Sequence, residues 1–271
     1  MIIDGRALAQ KIKDSLRAEV LSFNKKIRLA VIKVGSDSVM ERFISQKKKV
    51  AEEIGIDVRI YEFLEDISTN KLREKVSEIV HITENDGVII QLPLPPQINS
   101  QYILDAIIPE KDPDMLSSKS WGAFATGKSK ILPPVVGAIK TILDESKISP
   151  KGKNIVIVGA GKLVGKPAAT WFLNQGATAS VVDENTKNPH DFTTKADIIV
   201  TGAGKPGIIK PEMVKEGVIA IDAGTSESAG KLVGDIDPEI ADKASIYSPV
   251  PGGVGPLTVV YLFKNLIDLS K

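Results

Sequence analysis

The clearest chemical signal in the sequence is the segment Ile155-Val-Ile-Val-Gly-Ala-Gly-Lys-Leu-Val-Gly-Lys-Pro167. Four apolar residues run into a glycine loop, and the loop opens a helix. Gly159 permits the tight turn, and Gly161 lets the backbone approach a pyrophosphate closely, with Ala160 between them in the same cradle. A helix that starts near Gly165 offers amide N–H groups and a positive dipole end to phosphates. Pro167 suits a first helical turn, where no N–H is needed. The Gly-x-Gly-x-x-x-Gly spacing is one residue longer than the usual fingerprint, so its position between strand and helix is what points to a dinucleotide. Asp183 stands 24 residues after Gly159, at the end of Val181-Val-Asp-Glu184. There a carboxylate accepts hydrogen bonds from the adenosine ribose. It also repels a 2′-phosphate, which favours NAD over NADP.

The elements that must hold this loop follow from the hydrophobic pattern. Leu8, Ile12, Leu16 and Val20 predict a helix over about Gly5 to Phe23. Leu29–Val34, Val58–Leu64 and Gly87–Leu92 read as strands. Helices over Val39–Ile54, stopped by Gly55, and from a Ser68 or Thr69 cap to about Glu84 separate them. This is the pattern of parallel βαβ units, whose ligands bind beyond the carboxyl ends of the strands. Three segments are therefore of interest: the one after Val34, the one around Gln91, and Pro109-Glu-Lys-Asp-Pro-Asp114. Residues Ser117–Lys130 read as a connection, and Val135–Leu143 as a bridging helix. The second half repeats strand and helix: strands at Ile155–Val158, Ala179–Val182, Asp197–Val200, Val218–Ile221 and Ser245–Tyr247, helices at Pro167–Asn174 and Leu257–Leu269. The glycine turn Gly202-Ala-Gly-Lys-Pro206 follows one of these strands. The fold class is α/β, with an N-terminal βαβ domain and a C-terminal Rossmann-type parallel sheet. The domains are expected at about 1–130, with the last helix returning to pack on it, and 131–256.

Composition narrows the chemistry. The chain of 271 residues has no cysteine, which excludes disulfides, thiolate nucleophiles and cysteine-bound metal. Its two histidines, His81 and His190, fall in a helical pattern and a loop, where structural or solvated roles are expected, so a His-based triad or zinc site is not. A net charge of +1 gives no reason to invoke nucleic acid or an anionic membrane. Asp4 and Arg6 stand where a signal peptide would need apolar residues, and no apolar run is long enough to span a bilayer. A cytoplasmic location is the default expectation.

Five further segments occur in order: Gln91-Leu-Pro-Leu-Pro95, Pro109-Glu-Lys-Asp-x-Asp114, Gly204-Lys-Pro-Gly207, Gly230-Lys-Leu-Val-Gly-Asp235 and Pro249-Val-Pro-Gly-Gly-Val-Gly-Pro256. Together they resemble the bifunctional methylenetetrahydrofolate dehydrogenase/cyclohydrolase family over nearly the whole chain. The resemblance implies a folate-binding N-terminal domain, a dinucleotide-binding C-terminal domain and a site in the cleft between them. It implies oxidation of 5,10-methylenetetrahydrofolate to the methenyl form with NAD(P)+, then hydrolysis to 10-formyltetrahydrofolate, in a homodimer without metal. It places the catalytic lysine at Lys47, its glutamine at Gln91 and the pterin-binding aspartate at Asp114. Substrate contacts fall on Phe43, Pro251, Gly252 and Gly253, and cofactor contacts on Gly159, Ala160, Gly161, Gly165, Gly202, Gly204 and Thr225; Asp183 joins the cofactor contacts on its spacing alone, because the family often has a basic side chain where this chain has Asp183 and Glu184.

The residue types suit that chemistry. Hydride loss is assisted by the neighbouring nitrogen lone pairs and needs no strong base, so orientation of the folate supplies much of the acceleration. Hydrolysis needs a group that deprotonates water and protonates a ring nitrogen, and a lysine does both if its pKa falls from about 10.4 toward neutrality. Without the resemblance, Lys47-Lys-Lys49 would read as a solvated helix face, and Asp112 and Asp114 as turn formers. Five departures from the family pattern stand out. Met40 replaces a serine, Phe43 a stacking tyrosine and Met115 a glycine, while Gly159-Ala-Gly161 replaces Gly-Arg-Ser. Pro133-Pro-Val-Val136 also differs from the usual Pro-Cys-Thr-Pro. These leave the fold expectation intact but loosen the family's usual NADP preference. A monofunctional NAD-dependent dehydrogenase is the alternative reading. A non-catalytic dinucleotide sensor is a third, disfavoured by the joint presence of Lys47, Gln91 and Asp114.

Overall fold

A computed structural model describes residues 1–228 and 231–271. Gly230, first residue of one quoted motif, lies outside the described residues. The chain forms two compact units: Gln10–Pro134 with Val259–Lys271, and Met1–Ala9 with Val135–Thr258.

The first begins within α1 (Gly5–Val20) and continues through β1 (Arg28–Val34), α2 (Ser38–Ile54), β2 (Asp57–Phe63), α3 (Thr69–His81) and β3 (Gly87–Ile90). Two short helices follow, α4 (Ser100–Leu104) and α5 (Ser118–Ala125). The sheet has order β2-β1-β3, all parallel. β1 is central and buried from Leu29 onward, as both faces are covered. Its Ile32 and Val34 pack with Leu72 and Val76 of α3 and Ile90 of β3 in one apolar core. α2 is started by the Asp37 carboxylate, which accepts from the Val39 and Met40 amides, and stopped by left-handed Gly55. α3 is capped by Ser68 and ends at His81, three residues earlier than its periodicity predicts.

The second unit contains α6 (Pro134–Glu145), β4 (Asn154–Val158), α7 (Gly165–Asn174), β5 (Thr178–Val182), α8 (His190–Thr193), β6 (Ile198–Thr201), β7 (Ile219–Asp222), the hairpin β8 (Ser226–Ser228) and β9 (Lys231–Val233), and β10 (Ile246–Ser248). The last helix, α9 (Val254–Leu269), starts three residues before its expected position. Five parallel strands run in the order β10-β7-β6-β4-β5. Val156, Val158, Ile199 and Ala220 anchor the core of this unit with Ile236 and Ile240.

Two expectations are corrected. Residues 118–125 are a helix rather than open connection. Ser117 caps it by accepting from the Ser120 amide, and Trp121 and Phe124 pair their rings at 5.7 Å. Two turns carry too short a period to read. His190 likewise opens the short helix α8 instead of lying in a loop, and its Nε2 lies 3.3 Å from Glu212 O. Among the described residues no helix is long and apolar enough to cross a membrane.

Candidate active site and dinucleotide loop

In each sheet the chain reverses its direction of winding beside one strand, the point at which open parallel sheets bind their ligands. In the β2-β1-β3 sheet that strand is β1, so the expected binding crevice lies beyond the carboxyl ends of β1 and β3. The Gln91 amide N–H donates to Ile32 O at 2.8 Å, extending the ladder by one bond past β3. This fixes Gln91 at the strand's end with a largely buried side chain.

Lys47 reaches the same place from α2. Met40, Ile44, Ala51 and Ile54 form the buried stripe of that helix. Their spacing includes position 47 on the same face. Lys47 is half-buried, while Lys48 and Lys49 are exposed, so one lysine of the run points inward. Its Nζ donates to Gln91 Oε1 at 2.8 Å. Gln91 Nε2 donates to Leu92 O at 2.9 Å. Because a carbonyl only accepts, this second bond sets the amide so that its oxygen faces the amine.

The pKa of Lys47 is lowered by burial, with the Asp114 carboxylate pushing the other way. Asp114 itself is half-buried and raised to about 6 by loss of solvent, opposed by Lys47 and reinforced by Asp112. Asp112 is nearly inaccessible and accepts from the Leu116 and Ser117 amides at 3.3 and 2.9 Å. It therefore builds the turn on which Asp114 stands. Phe43, one turn before Lys47, is 42% exposed and offers a free ring face. Met40 and Met115 are buried, and Met115 holds a left-handed φ of 58°. The structure thus places Lys47 in a hydrogen bond with Gln91 and within electrostatic reach of Asp114.

In the five-stranded sheet the reversal falls between β4 and β6. Gly159 follows β4 with φ 105°, and a Cβ there would lie 2.7 Å from Gly202 O, the residue after β6. A Cβ on Gly165 would meet Gly159 O at 1.8 Å, so the start of α7 lies directly against the loop. Ala160 to Leu163 are exposed above this base. The tight glycine base under an open loop at a helix start fits a pyrophosphate.

Asp183 lies exposed just past β5, where its Oδ1 accepts from the Asn185 amide at 2.9 Å. Thr225 is exposed just before β8. The Gly204 N–H does not face outward, because it donates to Asp235 Oδ2 at 3.1 Å. Pro251 follows a cis peptide, Gly252 has φ 107°, and Gly253 is buried against Ser248. These three lie before α9 in the unit that carries the glycine loop, not in the unit of Lys47.

Sequence reading missed Asp222, Asp235 and the structural part played by Asp112. Asp235 had a signal, since it closes the quoted Gly-Lys-Leu-Val-Gly-Asp motif. Asp222 ends an apolar strand, a common place for a buried acid to catch loop amides.

Residues 3–114 match the model of the tetrahydrofolate dehydrogenase/cyclohydrolase catalytic domain, and residues 133–271 that of its NAD(P)-binding domain. The bifunctional protein FolD of Hydrogenobaculum sp. is 39% identical over 273 residues, covering 100% of this chain and 98% of that protein. The crystal structure of the bifunctional FolD methylenetetrahydrofolate dehydrogenase/cyclohydrolase of Campylobacter jejuni superposes with a TM-score of 0.96 at 38% identity, covering 100% of this chain and 98% of the other. The Trypanosoma brucei methylenetetrahydrofolate dehydrogenase-cyclohydrolase, solved with NADP and an inhibitor, gives 0.94 at 32% identity, covering 100% and 97%. Full-length identity at this level, two matching domain models and the same two sheets leave one assignment: the chain belongs to the tetrahydrofolate dehydrogenase/cyclohydrolase family.

Proposed function

We infer that this protein oxidises 5,10-methylenetetrahydrofolate to the 5,10-methenyl form and hydrolyses that product to 10-formyltetrahydrofolate. The observation that carries the reading is the Lys47 amine, depressed in pKa by burial and bonded to Gln91 at the sheet's crevice. A bound nicotinamide dinucleotide supplies the hydride acceptor, and the loop from Gly159 to Gly165 with Gly202 is the part of this chain that would hold it. Phe43 stacks on the pterin, and ionised Asp114 accepts from its 2-amino and N3 groups.

In hydrolysis, neutral Lys47 takes a proton from water as the C–O bond forms. Gln91 Oε1 holds one N–H of the amine and so fixes its orientation. The resulting ammonium then returns that proton to the ring nitrogen as the C–N bond breaks, and the hydroxyl proton passes to solvent. A cationic methenyl substrate lowers the lysine pKa further by like-charge repulsion, so arrival of substrate itself favours the free base.

NAD is the proposed acceptor. Asp183 is held at the end of β5 by its bond to the Asn185 amide, with Glu184 exposed beside it, and both charges oppose a 2′-phosphate. A cytoplasmic homodimer is also proposed; exposed Val181 on the edge strand β5 and Leu173 on α7 support pairing through the dinucleotide unit. Light scattering at assay concentration tests the dimer. The deciding experiment is a dehydrogenase assay on methylenetetrahydrofolate with NAD and NADP in parallel, with methenyl hydrolysis followed separately. Turnover with neither dinucleotide, together with no hydrolysis, overturns the reading; a higher kcat/KM with NADP overturns the choice of NAD alone.

A further inference from the structure

Two carboxylates in the dinucleotide unit, Asp222 and Asp235, are wholly inaccessible to solvent. The hydrogen bonds they accept come from amides and a hydroxyl. Asp222, at the end of β7, accepts from Thr201 Oγ1 at 2.8 Å and from the amides of Gly224, Asp235 and Ile236 at 3.0, 3.2 and 2.9 Å. Its pKa is raised by burial, with those bonds pulling it back down. The arrangement ties the ends of β6 and β7 to the segment entering Asp235.

Asp235 spends its own carboxylate on the turn after β6. Oδ2 accepts from the Ala203 amide at 2.6 Å and the Gly204 amide at 3.1 Å, and Oδ1 from the Lys205 amide at 2.8 Å. Three successive N–H groups converging on one anion form a nest. Charge-assisted bonds of this kind are shorter and about twice as strong as neutral ones. The fit is tight, since a Cβ on Gly224 would lie 2.1 Å from the Asp235 carboxyl carbon. A second tether runs from Ser226 Oγ to Gly204 O at 2.9 Å.

The position of this turn matters because Gly202, its first residue, is the floor beneath Gly159. Gly202 also donates to Val158 O at 2.8 Å, so the two glycine turns share one bond and one contact. We propose that Asp235 is a positioning residue for dinucleotide binding: its buried carboxylate occupies the 203–205 nest and holds Gly202 at the height that shapes the Gly159 cradle. Because the nest is already filled by an anion of the chain itself, this turn offers the cofactor its carbonyls and side-chain edges, and the phosphates are left to the loop at α7. The proposal rests on the dinucleotide reading of that loop given above.

The test uses the full chain. Asp235→Asn places an amide NH2 against amide donors, so at least one of the three bonds is lost and one contact becomes donor against donor. The dinucleotide KM is expected to rise by about 10- to 100-fold, the range of one or two charge-assisted bonds, with kcat at saturation within about threefold. Methenyl hydrolysis assayed without dinucleotide reports on the other unit in the same sample. Asp235→Ala leaves the nest open, and added acetate should restore part of its dinucleotide affinity, which general destabilisation would not predict at unchanged melting temperature. Ser226→Ala, a milder change, removes one neutral bond and should raise KM about threefold, which keeps the test open should the Asp235 variants not fold. A folded Asp235→Asn with unchanged KM overturns the proposal, as does a fall in kcat with KM unchanged. If the parent chain itself binds neither NAD nor NADP, the dinucleotide reading falls first.

Discussion

Lys47 Nζ and Gln91 Oε1 lie 2.8 Å apart, joining the middle of a helix to the end of a strand 44 residues on. The bond orients an amine that burial has made easier to deprotonate. A neutral acceptor steadies the lysine without compensating its charge. A carboxylate at the same distance would do the reverse.

Gln91→Glu tests this. The new carboxylate would favour the ammonium and raise the lysine pKa, by about 1–3 units for an opposite charge this close. Hydrolysis at pH 7 should fall by about 10- to 1,000-fold and recover as pH rises. The rate–pH profile of methenyltetrahydrofolate hydrolysis gives the answer. An ascending limb that does not move to higher pH would show that Lys47 is not the titrating base.

Lys47→Met removes the amine and keeps a side chain of similar length. Hydrolysis should drop by at least about 100-fold, the lower end of general acid–base contributions, while hydride transfer persists because it needs no base. The two activities are read separately, by loss of methenyl absorbance and by formation of reduced dinucleotide. Unimpaired hydrolysis removes Lys47 from the mechanism; equal loss of both activities assigns it to folate binding.

Asp114 carries a cost that its proposed role explains. Its folded pKa of about 6 lies above the unfolded value of 3.8. A group whose pKa rises on folding favours the folded state fully below its unfolded pKa and loses that contribution as pH climbs through the folded one. Between about pH 4 and 6, ionisation of Asp114 should therefore remove up to about 3 kcal/mol of stability, less to the extent that solvent screens it. Asp114→Asn is expected to be more stable than the parent at pH 7 and equal to it near pH 4, with a weaker KM for folate. It also removes the charge that supports the Lys47 ammonium, so the hydrolysis profile should move to lower pH. Urea unfolding at both pH values checks the first part; a variant less stable at pH 7 contradicts it.

The sequence disclosed most of the scaffold because its signals are local. β1 is a run of apolar residues ending at a glycine, and Asp37 and Gly55 bracket α2. The glycine loop was legible for the same reason, as strand, turn and helix fall within a dozen residues. The inward side of α2 was harder to read. Three consecutive lysines look alike in sequence, and only the Met40, Ile44, Ala51, Ile54 stripe separates Lys47 from Lys48 and Lys49. Asp235 was illegible as a clamp, because its partners stand 30 to 32 residues away and are backbone amides that leave no trace in residue type.

Met115 sets two opposing effects against each other. Its φ of 58° is one that glycine adopts freely and a side chain disfavours, at a cost of about 1–2 kcal/mol. Its side chain is also 2% exposed, next to Asp114 in sequence. Removing a buried methionine side chain costs about 2–5 kcal/mol once the cavity is included. Glycine adds unfolded-state entropy of about 0.4–1 kcal/mol to that loss. Burial therefore outweighs strain, and Met115→Gly should destabilise the unit that carries it by about 3 kcal/mol at mid-range, despite supplying the residue that this backbone favours. Denaturant midpoints of parent and variant decide it: a variant as stable as the parent, or more so, would mean that backbone strain dominates at this turn.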